Sequence, residues 1–212
     1  MGNQHINRVR CTKFLGIFID EDLDWSDHID YVAKKISSGA YAIRAAKHIL
    51  SAENLKSLYF SLVHSHLIYG NMVWGSAYQC KLNKLVKLQK KCVRYICKLP
   101  YNERTSPHFK KLGIPKLSDI FNIQLGKFMY AFSTGHLPQT LRCLFVLNAE
   151  IHQHHTRHRY DPHVVSRANN LVSKSFIHAA PKVWLTLPPD LKSCNTIKCF
   201  NRNIKKYFTD LY

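Results

Sequence analysis

Residues 79–98 read QCKLNKLVKLQKKCVRYICK. Leu82, Leu85, Val86, Cys92, Val93 and Ile96 recur at helical spacing and define one apolar face. Lys84, Lys87, Lys91, Arg94 and Lys98 advance by three or four residues at a time. At about 100° per residue they form a narrow stripe away from that face. No acid falls between Lys81 and Lys98. The spacing predicts a helix over 79–98. Its basic stripe is either a plain solvated face or one that tracks phosphates, and a solvated face ordinarily mixes signs.

Working outward, helical periodicity continues on both sides. Ile29, Val32, Ile36, Ala40, Ile43 and Leu50 set a helix over about 27–50, with Lys34, Lys35, Arg44 and Lys47 largely off its apolar stripe. Asp24, Ser26 or Asp27 is placed to cap it. A second helix, over about 52–67, is apolar nearly all round through Leu55, Leu58, Tyr59, Leu62, Val63 and Leu67, which predicts a central place in the core. Residues 9–19 carry strand formers around Gly16, the pattern of a strand with a bulge or a close backbone approach at the glycine. Beyond residue 100, helices are expected over 116–133, 179–187 and 196–210, the last amphipathic through Ile197, Phe200, Ile204, Tyr207 and Leu211, with Lys198, Arg202, Lys205 and Lys206 around it. The fold class is mainly α, with a short N-terminal β segment followed by a helical bundle and a helical C-terminal part.

Charge is the strongest bulk signal: 31 Lys+Arg against 13 Asp+Glu, a formal net charge of +18 over 212 residues. Six of the acids, Asp20, Glu21, Asp22, Asp24, Asp27 and Asp30, fall in one short stretch, so the remainder is more basic still. A compact domain with such an excess repels itself unless a polyanion is near. Nucleic acid is the first partner this implies and an anionic membrane surface the second. No apolar run is long enough to cross a bilayer and no signal-peptide pattern follows Met1, so the chain reads as soluble, not secreted and not membrane-inserted. Seven cysteines without a CxxC pair read as reduced thiols of a nuclear or cytoplasmic protein.

A search for catalytic chemistry returns little. There is no glycine-rich phosphate loop and no G-x-S-x-G elbow. Asp20, Glu21, Asp22 and Asp24 form the nearest set to a two-metal carboxylate site, but turn and capping roles explain them better. His152, His154, His155 and His158 cluster without a cysteine, so a basic surface is preferred to a zinc site. A Cys–His nucleophile is an open alternative of low weight among so many chance pairings. Trp25, Trp74 and Trp184 read as core residues before base-stacking ones. No catalytic residue, metal ligand or cofactor is assigned to this chain.

Lys13-Phe14-Leu15-Gly16-Ile17 … Asp20 … Leu23-Asp24-Trp25 … His28-Ile29 opens a series of ordered motifs. Leu58-Tyr59-Phe60-Ser61-Leu62-Val63 … Leu67-Ile68-Tyr69-Gly70 … Val73-Trp74-Gly75 comes next. Then follow Leu88-Gln89-Lys90-Lys91 … Arg94, Leu112-Gly113-Ile114 … Leu117, His152 … Thr156-Arg157, and Pro181-Lys182-Val183-Trp184 … Leu187-Pro188-Pro189 … Leu191-Lys192. Together they resemble the part after the palm in non-LTR (LINE- or Jockey-like) retrotransposon reverse transcriptases. The resemblance runs from about Arg8 to the C-terminus.

It implies a primer-grip-like hairpin within 1–25 carrying Phe14, Leu15, Gly16 and Asp20. It further implies a thumb-like helical bundle over 26–100 and a helical C-terminal extension over 101–212. The expected nucleic-acid contacts are Lys34, Lys35, Arg44, Lys47, Lys84, Lys87, Lys91, Arg94, Lys98 and Arg157. The family's palm carries an aromatic-x-Asp-Asp pair for Mg²⁺, and no such tetrad occurs here. Mg²⁺ is therefore expected only for a separate palm-containing polymerase segment, and this chain is expected to bind RNA, DNA or their hybrid without polymerising. The alternatives are a basic scaffold docking an acidic partner, and an unrelated small enzyme.

Overall fold

The computed structural model describes residues 8–151, 159–164, 173 and 175–212. It is mainly helical, behind a short N-terminal hairpin. Strands β1 (Cys11–Phe14) and β2 (Ile17–Asp20) pair antiparallel in the register Cys11↔Asp20, Lys13↔Phe18. The turn is Leu15-Gly16, with φ of 45° and 81°. Two successive positive φ values match the right-handed twist of the strands, and glycine takes the second without strain. The expected single strand is thus two short strands, with Gly16 reversing the chain instead of bulging it. Close approach does occur: the Tyr69 hydroxyl donates to the Leu15 carbonyl, and a Cβ at Gly16 would lie 3.4 Å from the Tyr69 ring.

Residues 8–70 and 77–103 form one compact unit. Its first helix, α1 (Ser26–Ala46), follows a turn built by the acidic stretch. The Asp24 N–H donates to Asp20 Oδ1 and the Ser26 N–H to Asp24 Oδ1, both at 2.8 Å, but the N-cap residue is Trp25, which makes no side-chain capping bond, so none of Asp24, Ser26 and Asp27 is the cap. Ile29, Val32, Ile36, Ala40 and Ile43 are buried, as their spacing requires. The helix stops at Ala46, short of Leu50, where the Ile49 and Leu50 N–H groups turn back onto the Ala46 carbonyl. The Phe18 N–H donates to His28 Nδ1 at 3.4 Å and ties the hairpin to α1. Burial holds the His28 pKa below its ordinary value.

Helix α2 (Ala52–Tyr59) widens into a π turn over Phe60–His64 and resumes as α3 (Ser65–Ile68). The buried positions Leu55, Tyr59, Val63 and Leu67 are four residues apart throughout. In a regular α-helix that spacing drifts by about 40° per step, and the wider π turn takes up the drift. The segment is not buried all round: Leu62 and Ile68 remain exposed. A Cβ on Gly39 of α1 would lie 2.8 Å from the Leu62 carbonyl oxygen, so glycine is what lets this segment approach α1 so closely.

After α4 (Asn71–Trp74), which belongs to the second unit, α5 (Gln79–Cys97) returns along α1. Leu82, Leu85, Cys92, Val93 and Ile96 are buried as expected, Val86 is half-buried, and Gln89 enters the core. Its Nε2 donates to the buried Tyr59 hydroxyl at 2.9 Å, and burial pushes the Tyr59 pKa far up.

The second unit comprises 71–76 and 104–212. Among its described residues the helices are α4, α6 (Ser106–Leu112), α7 (Leu117–Ser133), α8 (Gln139–Arg142), α9 (Asn148–Ile151), α10 (Phe176–Thr186), α11 (Pro189–Lys192) and α12 (Ile197–Asp210). The core is aromatic: Tyr130 stacks on Phe200 at 4.2 Å between ring centroids, with Trp184, Met129, Leu125 and Ile204 around them. The periodicity reading missed α6, although Pro107 in its first turn and Gly113 at φ 62° after its last are standard boundary residues. Among the described residues, no helix is long and apolar enough to cross a membrane. None of the seven cysteines is in a disulfide.

Candidate nucleic-acid interface

Alongside their packed seam, α1 and α5 leave a groove of about 750 Å³. Asp30, Lys34 and Ser37 rim it from α1, and Asn83, Lys84, Lys87 and Lys91 from α5. Ala33, Cys80 and Leu88 give it apolar wall. Two turns of lysine on α5 therefore face one lysine of α1 across a concave surface. Sequence spacing put Lys84, Lys87 and Lys91 on one stripe of α5 and Lys34 off the apolar stripe of α1, but did not bring the two helices' lysines together.

The acids of the N-terminal stretch reach part of this surface. Lys84 pairs with Asp30, and Lys81 with Asp24. The hydrogen bond from Lys81, with that from Ser26, holds the Asp24 pKa down to about 2. Lys34, Lys87 and Lys91 are exposed and have no carboxylate within ion-pair distance among the described residues. They are the groove's uncompensated cations.

Arg94 departs from the stripe. Its Nη2 donates to the Glu103 carbonyl at 3.3 Å and its guanidinium lies 5.5 Å from the Tyr101 ring centroid, so it ties down the chain after α5. Lys98 lies one residue past the helix, in the left-handed conformation that ends it (φ 53°). Lys47 is half-buried with its ammonium 6.0 Å from the Tyr95 ring centroid, and Arg44 stands exposed in the last turn of α1. Lys35 turns to the other flank of α1, toward Tyr31. Arg157 and the cluster His152, His154, His155 and His158 lie outside the described residues.

At the hairpin tip Phe14 and Leu15 are 63% and 74% exposed. Asp20 is half-buried and accepts from the Asp24 N–H. Behind the tip, Lys13 and Lys35 both reach the ring of Tyr31, which packs on Phe18. Sequence reading had Lys13 only as the first residue of an ordered motif and did not single out Tyr31. The four-residue interval from Tyr31 to Lys35 was the only local hint, because Lys13 arrives through the hairpin.

The acidic stretch does not converge on a metal position. Asp20 and Asp24 are engaged with backbone N–H groups, Asp24 also with Lys81, and Glu21 with Arg8 at 2.9 Å. Among the described residues no group of three or more His, Cys, Asp or Glu is placed to hold a metal ion. Among the described residues no histidine lines the groove beside Cys80. Several of the ordered motif residues are structural instead: Tyr59 and Gln89 bond in the core, Trp74 and Trp184 are buried, and Gly113 ends α6. Trp25 is half-buried, at the left-handed position that opens α1.

Sequence comparison gives the class: the chain is related to retrotransposon reverse transcriptases. The particular relatives are two proteins described as RNA-directed DNA polymerase from mobile element jockey. The one from Drosophila melanogaster is 31% identical over 151 residues, which is 68% of this chain. The one from Drosophila funebris is 31% identical over 110 residues, 50% of this chain. The matched segments span only 16% and 12% of those polymerases. No family model matches the chain, and no solved structure matches it.

Proposed function

We propose that this chain is a nucleic-acid-gripping part of a retrotransposon RNA-directed DNA polymerase, corresponding to the region after the palm. Its groove between α1 and α5 takes the phosphates of a template–primer, whether RNA, DNA or hybrid. The helices of the first unit act as a thumb, the hairpin with Phe14, Leu15, Gly16 and Asp20 as the primer grip, and the region after residue 101 as a C-terminal extension. The carboxylates that bind Mg²⁺ come from a palm-containing polymerase segment, and the chain works in the nucleus or cytoplasm. The observation that carries this reading is the set Lys34, Lys87 and Lys91, three uncompensated cations on one concave surface.

A scaffold for an acidic partner protein is the second reading. The pairing of Asp24 and Asp30 with Lys81 and Lys84 speaks for it, since acids already occupy part of the basic face. Phosphate binding releases condensed counterions, so log affinity falls with log salt by about 0.9 per phosphate neutralised on duplex DNA. The triple variant K34Q/K87Q/K91Q should flatten that slope by about 2.7 and weaken all duplex sequences alike. A wild-type affinity that barely changes between 50 and 200 mM salt would sink the proposal.

A further inference from the structure

The start of α12 holds two thiols on one amide. Cys194 follows the turn that ends α11, and Cys199 lies in the first turn of α12, three residues past the capping Thr196. The Asn203 side chain, one helical turn further on, donates from Nδ2 to Cys199 Sγ at 3.4 Å and to Cys194 Sγ at 3.6 Å. One nitrogen within reach of both sulfurs keeps the sulfurs side by side. The backbone beneath them is fixed as well. The Cys199 N–H donates to the Thr196 hydroxyl at 3.2 Å. The Tyr130 hydroxyl donates to the Cys194 carbonyl at 2.5 Å, and Tyr130 stacks on Phe200, the residue after Cys199. Cys199 is exposed and Cys194 half-buried. Burial, and after it a hydrogen bond with Cys199, hold the Cys194 thiol above its ordinary pKa. A small external reagent therefore meets Cys199 first.

We infer that Cys194 and Cys199 form a reversible dithiol–disulfide site that takes a low-molecular-weight disulfide as its oxidant. The exposed Cys199, as thiolate, attacks one sulfur of the external disulfide and expels one thiolate. Cys194 then loses its proton to water and attacks the Cys199 sulfur, expelling the second thiolate. The pair gives up two electrons and two protons, and the external disulfide becomes two thiols. The product closes a ring over residues 194–199 and staples the turn after α11 to the first turn of α12, beside the Tyr130–Phe200 stack. In a reducing compartment such a pair rests as thiols, and accessible neighbouring thiols are where an oxidant acts. The site stands whether or not the chain binds nucleic acid.

The experiment equilibrates the full chain with mixtures of oxidised and reduced glutathione, native and in urea, then quenches with acid, alkylates and digests with trypsin. Cleavage after Lys192, Lys198 and Arg202 separates the two cysteines, so the disulfide joins peptides 193–198 and 199–202 in a mass spectrum. In the native chain this linked pair should dominate, while exposed Cys80 and Cys143 carry glutathione instead. The native chain should favour the disulfide about tenfold over the urea-unfolded chain, because the fold already holds both sulfurs on one amide. Cys194→Ser should trap glutathione on Cys199, and dithiothreitol should release it. A native wild type that accumulates glutathione on Cys199 without the 194–199 link overturns the site, as does one that closes no more readily than the unfolded chain. Circular dichroism checks that Cys194→Ser keeps its helices, and if it does not, the native-against-urea comparison of the wild type decides alone.

Discussion

The two units handle cations differently. In the second, several lysines are absorbed by the fold: the Lys116 ammonium lies 3.8 Å from the Tyr212 ring centroid, Lys192 lies over Trp184, and Lys127 is half-buried. In the first, Lys34, Lys87 and Lys91 stand uncompensated along a groove, and Lys13 and Lys35 share one ring. Their cores differ as well. The second unit is centred on stacked aromatics, and the first carries polar ties, Gln89 to Tyr59 and Phe18 to His28. Lysine density alone therefore does not mark a binding face. What sets the first unit's groove apart is that Lys34, Lys87 and Lys91 have no carboxylate within ion-pair distance among the described residues.

The hardest test of this contrast removes the aromatic centre. Phe200→Ala should cost about 3–5 kcal/mol in urea unfolding, as buried aromatic truncations do. Below its melting temperature the variant should keep salt-dependent duplex binding, and loss of binding with the fold intact would break the contrast. In the first unit, Gln89→Leu strands the buried Tyr59 hydroxyl and should cost about 1–3 kcal/mol. Adding Tyr59→Phe should recover much of that, and a double variant no better than the single would show that the hydrogen bond is not what matters.

Smaller still is the pH effect of His28. Burial lowers its folded pKa, so the unfolded chain takes up the proton first. Its contribution is full above the unfolded value of 6.5 and erodes as pH falls through the lower folded value. Asp24 acts later: its contribution is full above 3.8 and is lost as pH falls toward about 2. Melting followed from pH 8 to pH 5 should show a decline that His28→Leu flattens. Last, Lys110→Gln should change stability by less than about 0.5 kcal/mol and leave duplex affinity unaltered, because the exposed Lys110–Asp210 pair contributes little. A measurable loss of binding would place the second unit in the interface.

Much of the fold was legible because apolar spacing alone sets α1, α5, α7 and α12. The hairpin was half legible: Gly16 was marked as special, but only paired positive φ values distinguish a turn from a bulge. Helix α6 announced itself through Pro107 and Gly113, yet it is too short for periodicity to register. On α5, Lys84, Lys87 and Lys91 line one groove, whereas Arg94 turns to Tyr101 and Glu103 in the following loop, which spacing within the helix does not carry. That Asp30 would cover Lys84 and that Lys34 would oppose Lys87 and Lys91 depends on the angle at which two helices pack, which spacing within one helix does not carry.

The central claim is that the α1–α5 groove takes nucleic-acid phosphates, and Cys80 reports on it directly. Cys80 is exposed and lines the groove, whereas Cys92 is buried with its thiol pushed up to about 12. Alkylation with and without a saturating RNA–DNA hybrid should show Cys80 protected by the hybrid, exposed Cys199 of the second unit modified at an unchanged rate, and Cys92 unreactive in both. Equal Cys80 modification in the presence and absence of bound hybrid would contradict the account.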